Sequence, residues 1–117
     1  MTDIKRIVPG KRMSQAVACG NLVFLAGQVA QRAGGAAVAE QTKDILARIE
    51  ELLAEAGSDK TKLLSATIWL TDIATFDEMN GIWDAWVAPG AAPARACVEA
   101  KLASPQYNVE IAVVAAR

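Results

Sequence analysis

Hydrophobic positions along the chain switch between two spacings, and the switches mark out the elements. Residues 5–8 read as a short first strand, stopped by Pro9-Gly10. Compact apolar runs at 14–18 and 22–26 flank Gly20-Asn21, a hairpin signal, and Gly27 closes the third run. From 38 to 56 the period becomes helical. Ile45, Ile49, Leu52, Leu53 and Ala56 form one apolar stripe, with Lys43, Asp44, Arg48, Glu51 and Glu55 on the wet side. Gly57 takes the left-handed cap position behind it. Residues 63–70 return to strand character through Thr67, Ile68 and Trp69. Thr75-Phe76-Asp77-Glu78 matches a capping box at the start of a second helix. Phe76, Met79, Trp83 and Trp86 are expected on its buried face, and Pro89-Gly90 ends it. Two last strands follow at 94–100 and 108–115, joined around Ser104-Pro105.

The order β-β-β-α-β-α-β-β calls for an α+β fold, a mixed sheet with both helices on one face. Only two helices exist to cover a sheet that is apolar on both sides. The uncovered face is predicted to meet another subunit. Neither a repeat nor a linker divides residues 1–117, so a single domain is expected; Ala33–Ala37 is a flexible connection ahead of the first helix.

Composition sharpens this picture. Hydrophobic residues make up 53% of 117 residues and mean hydropathy is +0.23, rich for a small monomer. Twelve Lys+Arg against thirteen Asp+Glu give a net charge of −1, with no basic excess to neutralise nucleic-acid phosphates. The chain has no histidine, which removes imidazole bases, Ser-His-Asp and Cys-His catalysis, and histidine-rich zinc sites. Cys19 and Cys97 are too few for a zinc or iron–sulfur cluster and read as buried free thiols. No signal peptide or membrane span is visible, so a cytoplasmic location is expected.

Two charges interrupt apolar strands: Arg95 in Ala94-Arg95-Ala96-Cys97-Val98, and Glu110 in Val109-Glu110-Ile111-Ala112. Desolvating either costs several kcal/mol without a partner. Alternation puts Arg95, Cys97 and Glu99 on one strand face, and Asn108, Glu110, Ala112 and Val114 on one face of the last strand. The residues leave two readings open. One is a structural Arg95–Glu110 ion pair, or sheet faces that are simply wet. The other is an anion site, in which the arginine fork grips a carboxylate and Glu110 holds a water or accepts a proton.

The segment Pro93-Ala94-Arg95-Ala96-Cys97-Val98-Glu99, followed by Val109-Glu110-Ile111, resembles the signature of the RidA family, the YjgF-like reactive-intermediate imine deaminases. Gly20-Asn21, Ala26-Gly27-Gln28, the helix holding Ile45 to Leu53, and Phe76 to Asn80 resemble the family too, so the likeness spans nearly the whole chain. The arginine segment is its specific part. The resemblance implies a chorismate-mutase-like fold and a homotrimer with three clefts between subunits. It also implies hydrolysis of small 2-imino acids, derived from 2-aminoacrylate-type enamines, to 2-keto acids and ammonia, with no metal or organic cofactor. By the same resemblance Arg95 grips the substrate carboxylate and Glu110 stands near the attacking water. Cys97 lines the site through its backbone, Asn80 belongs to the pocket, and Gly27 lies beside the ligand.

One departure stands out. Where many deaminating members carry a tyrosine, Met13 aligns here, in Lys11-Arg12-Met13-Ser14-Gln15. A phenol offers a hydrogen bond and a flat surface; methionine offers an adaptable apolar wall. This leaves a second reading, a non-catalytic small-carboxylate-binding or regulatory module on the same scaffold. The remaining features read as structural: Trp69, Trp83 and Trp86 as packing, Lys11-Arg12 and Glu50-Glu51 as solvated surface. Gly34-Gly35 lacks the strand–GxGxxG–helix context of a dinucleotide loop.

Overall fold

The structure, a computed structural model, describes residues 3–117. Among these residues the regular elements run in the order β1 (Ile4–Pro9), β2 (Ser14–Cys19), β3 (Leu22–Leu25), β4 (Gln28–Val29), α1 (Val38–Glu55), β5 (Leu63–Leu70), α2 (Phe76–Trp86), β6 (Ala94–Glu99) and β7 (Val109–Ala116). Short 3-10 turns at Lys60–Lys62 and Ile73–Thr75 precede β5 and α2. The strands form one sheet in the order β1-β2-β3-β7-β5-β6, with β4 also pairing β7. Among the described residues only β5 and β6 run parallel; α2 is the crossover between them. The fold is α+β, a mixed seven-stranded sheet with two helices packed on it.

Each sheet position falls on one of two faces. Ala16, Ala18, Val23, Leu25, Ala66, Ile68, Leu70, Ile111 and Val113 are buried together with Ile45, Leu46, Ile49, Leu52 and Leu53 of α1 and Met79 and Trp83 of α2. The alternate positions make the face opposite the helices. Val17 pairs with Phe24 and Phe24 with Val114, while Trp69 pairs with both Glu110 and Val98. Phe24 and Val98 remain largely exposed there. No helix among the described residues is long and apolar enough to cross a membrane.

Local signals explain most boundaries. The Gly20-Asn21 hairpin forms, joining Cys19 to Leu22 with Gly20 at φ 60°. α1 ends in a Schellman arrangement, with Gly57 at φ 81°, Gly57 N–H donating to Ala54 O and Ser58 N–H to Leu53 O. Three expectations change. The third strand stops at Leu25 instead of 26, and β4 resumes pairing at Gln28. Four residue steps from Phe24 to Gln28 face three on β7, from Val114 to Ile111, so one residue is extra and the ladder bulges at Ala26-Gly27. The capping box does not close. Thr75 donates its hydroxyl to Asp72 O, and Glu78 instead accepts from Ala39 N–H, capping the first turn of α1. Phe76 is not on the buried face of α2; it is 36% exposed, while Met79 and Trp83 are buried.

Candidate functional site

Arg95 sits on β6, the edge strand. Its parallel register pairs it with buried Ala66, which turns its side chain toward the helices. There Nη1 donates to Asn80 Oδ1 at 2.8 Å. The guanidinium carbon lies 5.3 Å from the Trp83 ring centroid and 5.7 Å from that of Phe76, within cation–π range. Phe76, Asn80 and Trp83 recur at i, i+4 and i+7, so a single stripe of α2 makes the whole cradle. Trp83, expected only as packing, therefore has a second role, and this spacing was the signal that could have shown it. The ion pairs among the described residues are Arg32–Glu51, Lys43–Glu40, Arg48–Glu51 and Lys60–Glu50. None neutralises Arg95.

Cys97 lies two residues along the same strand face. Burial pushes its thiol above the usual range, against a smaller opposing pull from the Arg95 charge, so the thiol stays protonated near neutral pH. Cys97 and Cys19 are both free, and both are half-buried, not fully enclosed as the sequence predicts. Glu99 is used elsewhere, its Oε2 accepting from Ile73 N–H at 3.0 Å and tying the 3-10 turn before α2 to β6.

Glu110 stands apart from this group. On β7 it pairs with Trp69, out of phase with buried Ile68 and Ile111, and so faces away from the helices. The ion pair with Arg95, one of the readings left open above, is not formed, because the two side chains leave the sheet on opposite sides. Desolvation raises the Glu110 carboxyl above the ordinary carboxylate range. It packs against Gly27. A β-carbon at 27 would stand 2.9 Å from the Glu110 carboxyl carbon and closer still to Oε2. Glycine is what the carboxylate requires at that point.

The structure thus brings Arg95, Asn80 and Cys97 together, and separately Gly27 with Glu110. Met13 joins neither set. It lies in the β1–β2 turn, 48% exposed, near the opposite end of the sheet from β6, where its carbonyl accepts from Gly10 N–H at 2.8 Å. Two residues that sequence reasoning passed over attach to the Gly27 group. Gln28 Nε2 donates to Gln15 Oε1 at 2.9 Å and to Ala26 O at 3.0 Å. Among the described residues no cluster of three or more His, Cys, Asp or Glu could hold a metal ion. The chemistry available is anion binding at a guanidinium and proton exchange at a desolvated carboxyl.

The family model described as Endoribonuclease L-PSP matches residues 3–117. A RutC family protein of Haemophilus influenzae is 43% identical over 112 residues, covering 96% of this chain and 97% of the relative. The RutC family protein YoaB of Escherichia coli is 51% identical over 77 residues, 66% of this chain and 68% of its own. Among solved structures, NMB1025 of Neisseria meningitidis, a member of the YjgF family, superposes with a TM-score of 0.95 at 50% identity, covering 98% of this chain and 95% of that one. The chain belongs to the endoribonuclease L-PSP family, the group of the YjgF, RutC and RidA proteins.

Proposed function

We propose that this protein is an enamine/imine deaminase that hydrolyses small 2-imino acids to 2-keto acids and ammonia. The observation that carries the reading is Arg95. Its guanidinium is held by a neutral amide and two aromatic rings and is left without a counter-charge among the described residues. Arginine in such a cradle suits a carboxylate taken bidentately.

In this scheme Arg95 binds the substrate carboxylate, with Asn80 holding the guanidinium in place and the Cys97 backbone lining the cleft. Glu110 takes a proton from water as its oxygen bonds to the imine carbon, and the C=N π pair moves onto nitrogen. Glu110 returns that proton to the nitrogen, the C–N bond breaks with its electron pair leaving on ammonia, and the carbinol oxygen gives its proton to the Glu110 carboxylate as it becomes the keto group. The raised Glu110 carboxyl suits both halves, because an acid–base group works best when its pKa approaches the working pH. Gly27 leaves room for that carboxylate. A protonated imine is already a strong electrophile, so a hundred- to ten-thousand-fold acceleration, roughly 3–5 kcal/mol, is enough. Positioning can supply it.

Since Arg95 and Glu110 leave opposite faces of one sheet, the scheme needs a neighbouring copy. A homotrimer with clefts between subunits lets Arg95 of one copy meet Glu110 of the next, and it covers the exposed apolar face. A ribonuclease role gains no support from a chain with net charge −1 and no histidine. Met13 favours a second reading, a small-carboxylate-binding module without turnover. Turnover of freshly generated 2-iminopropanoate and 2-iminobutanoate by the native protein and by Arg95→Ala separates these outcomes. The deaminase reading expects turnover that Arg95→Ala abolishes. Unchanged turnover in the variant overturns it, and Arg95-dependent binding of 2-ketobutyrate without turnover supports the module.

A further inference from the structure

Gln28 is only 4% exposed, in a strand of two residues beside the bulge. A buried amide at a break in a sheet has a structural task to perform. The extra residue leaves Ala26 C=O without a ladder partner, and Gln28 Nε2 supplies one at 3.0 Å. The same nitrogen donates to Gln15 Oε1 at 2.9 Å, and Gln15 O accepts from Ala26 N–H at 2.9 Å. Ala26 is therefore held at both of its backbone groups, one by β2 and one by Gln28. Gln28 is itself fixed by its pairing with Ile111 on β7. Gly27 is the single residue strung between these two anchors, and Glu110 packs on it.

We propose that Gln28 is a positioning residue, which with Gln15 clamps the bulge and so sets where the Glu110 carboxylate stands and how far it is kept from water. This rests on the deaminase reading for its kinetic consequence, though not for its structural one. Within one copy the strand partners of Glu110, Val29 and Trp69, carry no charge and desolvation raises its carboxyl; in the proposed trimer the charge brought to it is Arg95 of the neighbouring copy, which is the same in the native protein and in the variants below. Loosening the clamp therefore has one direct effect: the carboxylate drifts from Gly27 into solvent.

The test is a carbon-13 NMR titration of glutamate-labelled protein, with the Glu110 resonance assigned by its loss in Glu110→Gln. Gln28→Met keeps the length and removes both donated bonds; Gln15→Met removes only the acceptor. Glu110 is expected to titrate above the ordinary carboxylate range in the native protein. Its midpoint should fall by about half a pH unit or more in either variant. Turnover should fall about tenfold or more in kcat, with KM little changed and the acid limb of the pH profile moving down with the midpoint. A folded Gln28→Met protein with an unmoved Glu110 midpoint overturns the proposal. If that variant fails to fold, an unmoved midpoint in Gln15→Met overturns it. Absence of turnover in the native protein defeats the deaminase reading and leaves the titration to decide the clamp.

Discussion

Arg95 and Glu110 project from opposite faces of the same sheet. Trp69 of β5 pairs with Glu110 on one side and Val98 on the other, so Glu110 shares its row with Val98 and lies three residues and two strands from Arg95. At ordinary strand spacings that is roughly 14 Å between α-carbons. A single small substrate cannot touch both groups of one copy by the direct route, and this makes the proposed shared cleft testable.

Arg95→Ala and Glu110→Gln should each be inactive alone and should regain activity when co-refolded. In a randomly mixed cyclic trimer about a quarter of the clefts would pair an intact Arg95 with an intact Glu110. Turnover of the mixture against its parents is the measurement. A mixture no more active than either parent places both groups in one copy and rules out the shared cleft.

Gly27→Ala should fold and lose activity. Residue 27 has no positive φ to forbid alanine, and the atoms its β-carbon meets are the far end of the Glu110 side chain. The carboxylate must move, and a displacement near 1 Å can cost about a hundredfold in rate. Thermal unfolding and kcat measured on the same preparation check it. Native kcat in the variant removes Glu110 from the reaction.

Glu110 also predicts a pH dependence of stability. Burial raises its folded pKa above the unfolded value, so the folded state binds more protons and stability falls as pH rises through that window. Glu110→Gln removes the buried charge. It should melt higher than the native protein near neutral pH, and the gap should close as pH falls below about 4, where the native carboxyl becomes protonated in both states. Paired melting curves across that range check the sign.

Met79 is fully buried between α2 and the rest of the core. Met79→Ala should cost about 2–5 kcal/mol by leaving a cavity. Asn80, next in sequence, meets Arg95 from the same helix, so Asn80→Ala should instead leave stability nearly intact and raise KM. Denaturant titration beside steady-state kinetics distinguishes the two neighbours.

Much of the fold was legible in residue order. Helical spacing from Ile45 to Ala56, Gly57 behind it, and Gly20-Asn21 between two apolar runs are local signals, and each produced the element it predicts. The arginine segment and Glu110 likewise stood out, because a charge in an apolar strand needs a reason. The capping box failed because each side chain found another partner, Thr75 the Asp72 carbonyl three residues back and Glu78 the Ala39 amide on another helix. Phe76 fell outside the core for a similar reason, since it lies beside Arg95 instead.

Residue order alone dictated the α+β class, the lack of imidazole chemistry and the identity of the two unusual charges, though not the two-residue strand at Gln28–Val29. All of these depend on composition or on neighbours within a few residues. Contacts between distant segments set the rest: Arg95 and Glu110 point apart, α2 cradles the arginine, and a bulge puts Gly27 against the carboxylate. Strand register is a contact between distant parts of the chain, and shifting it by one residue sends a side chain to the other face.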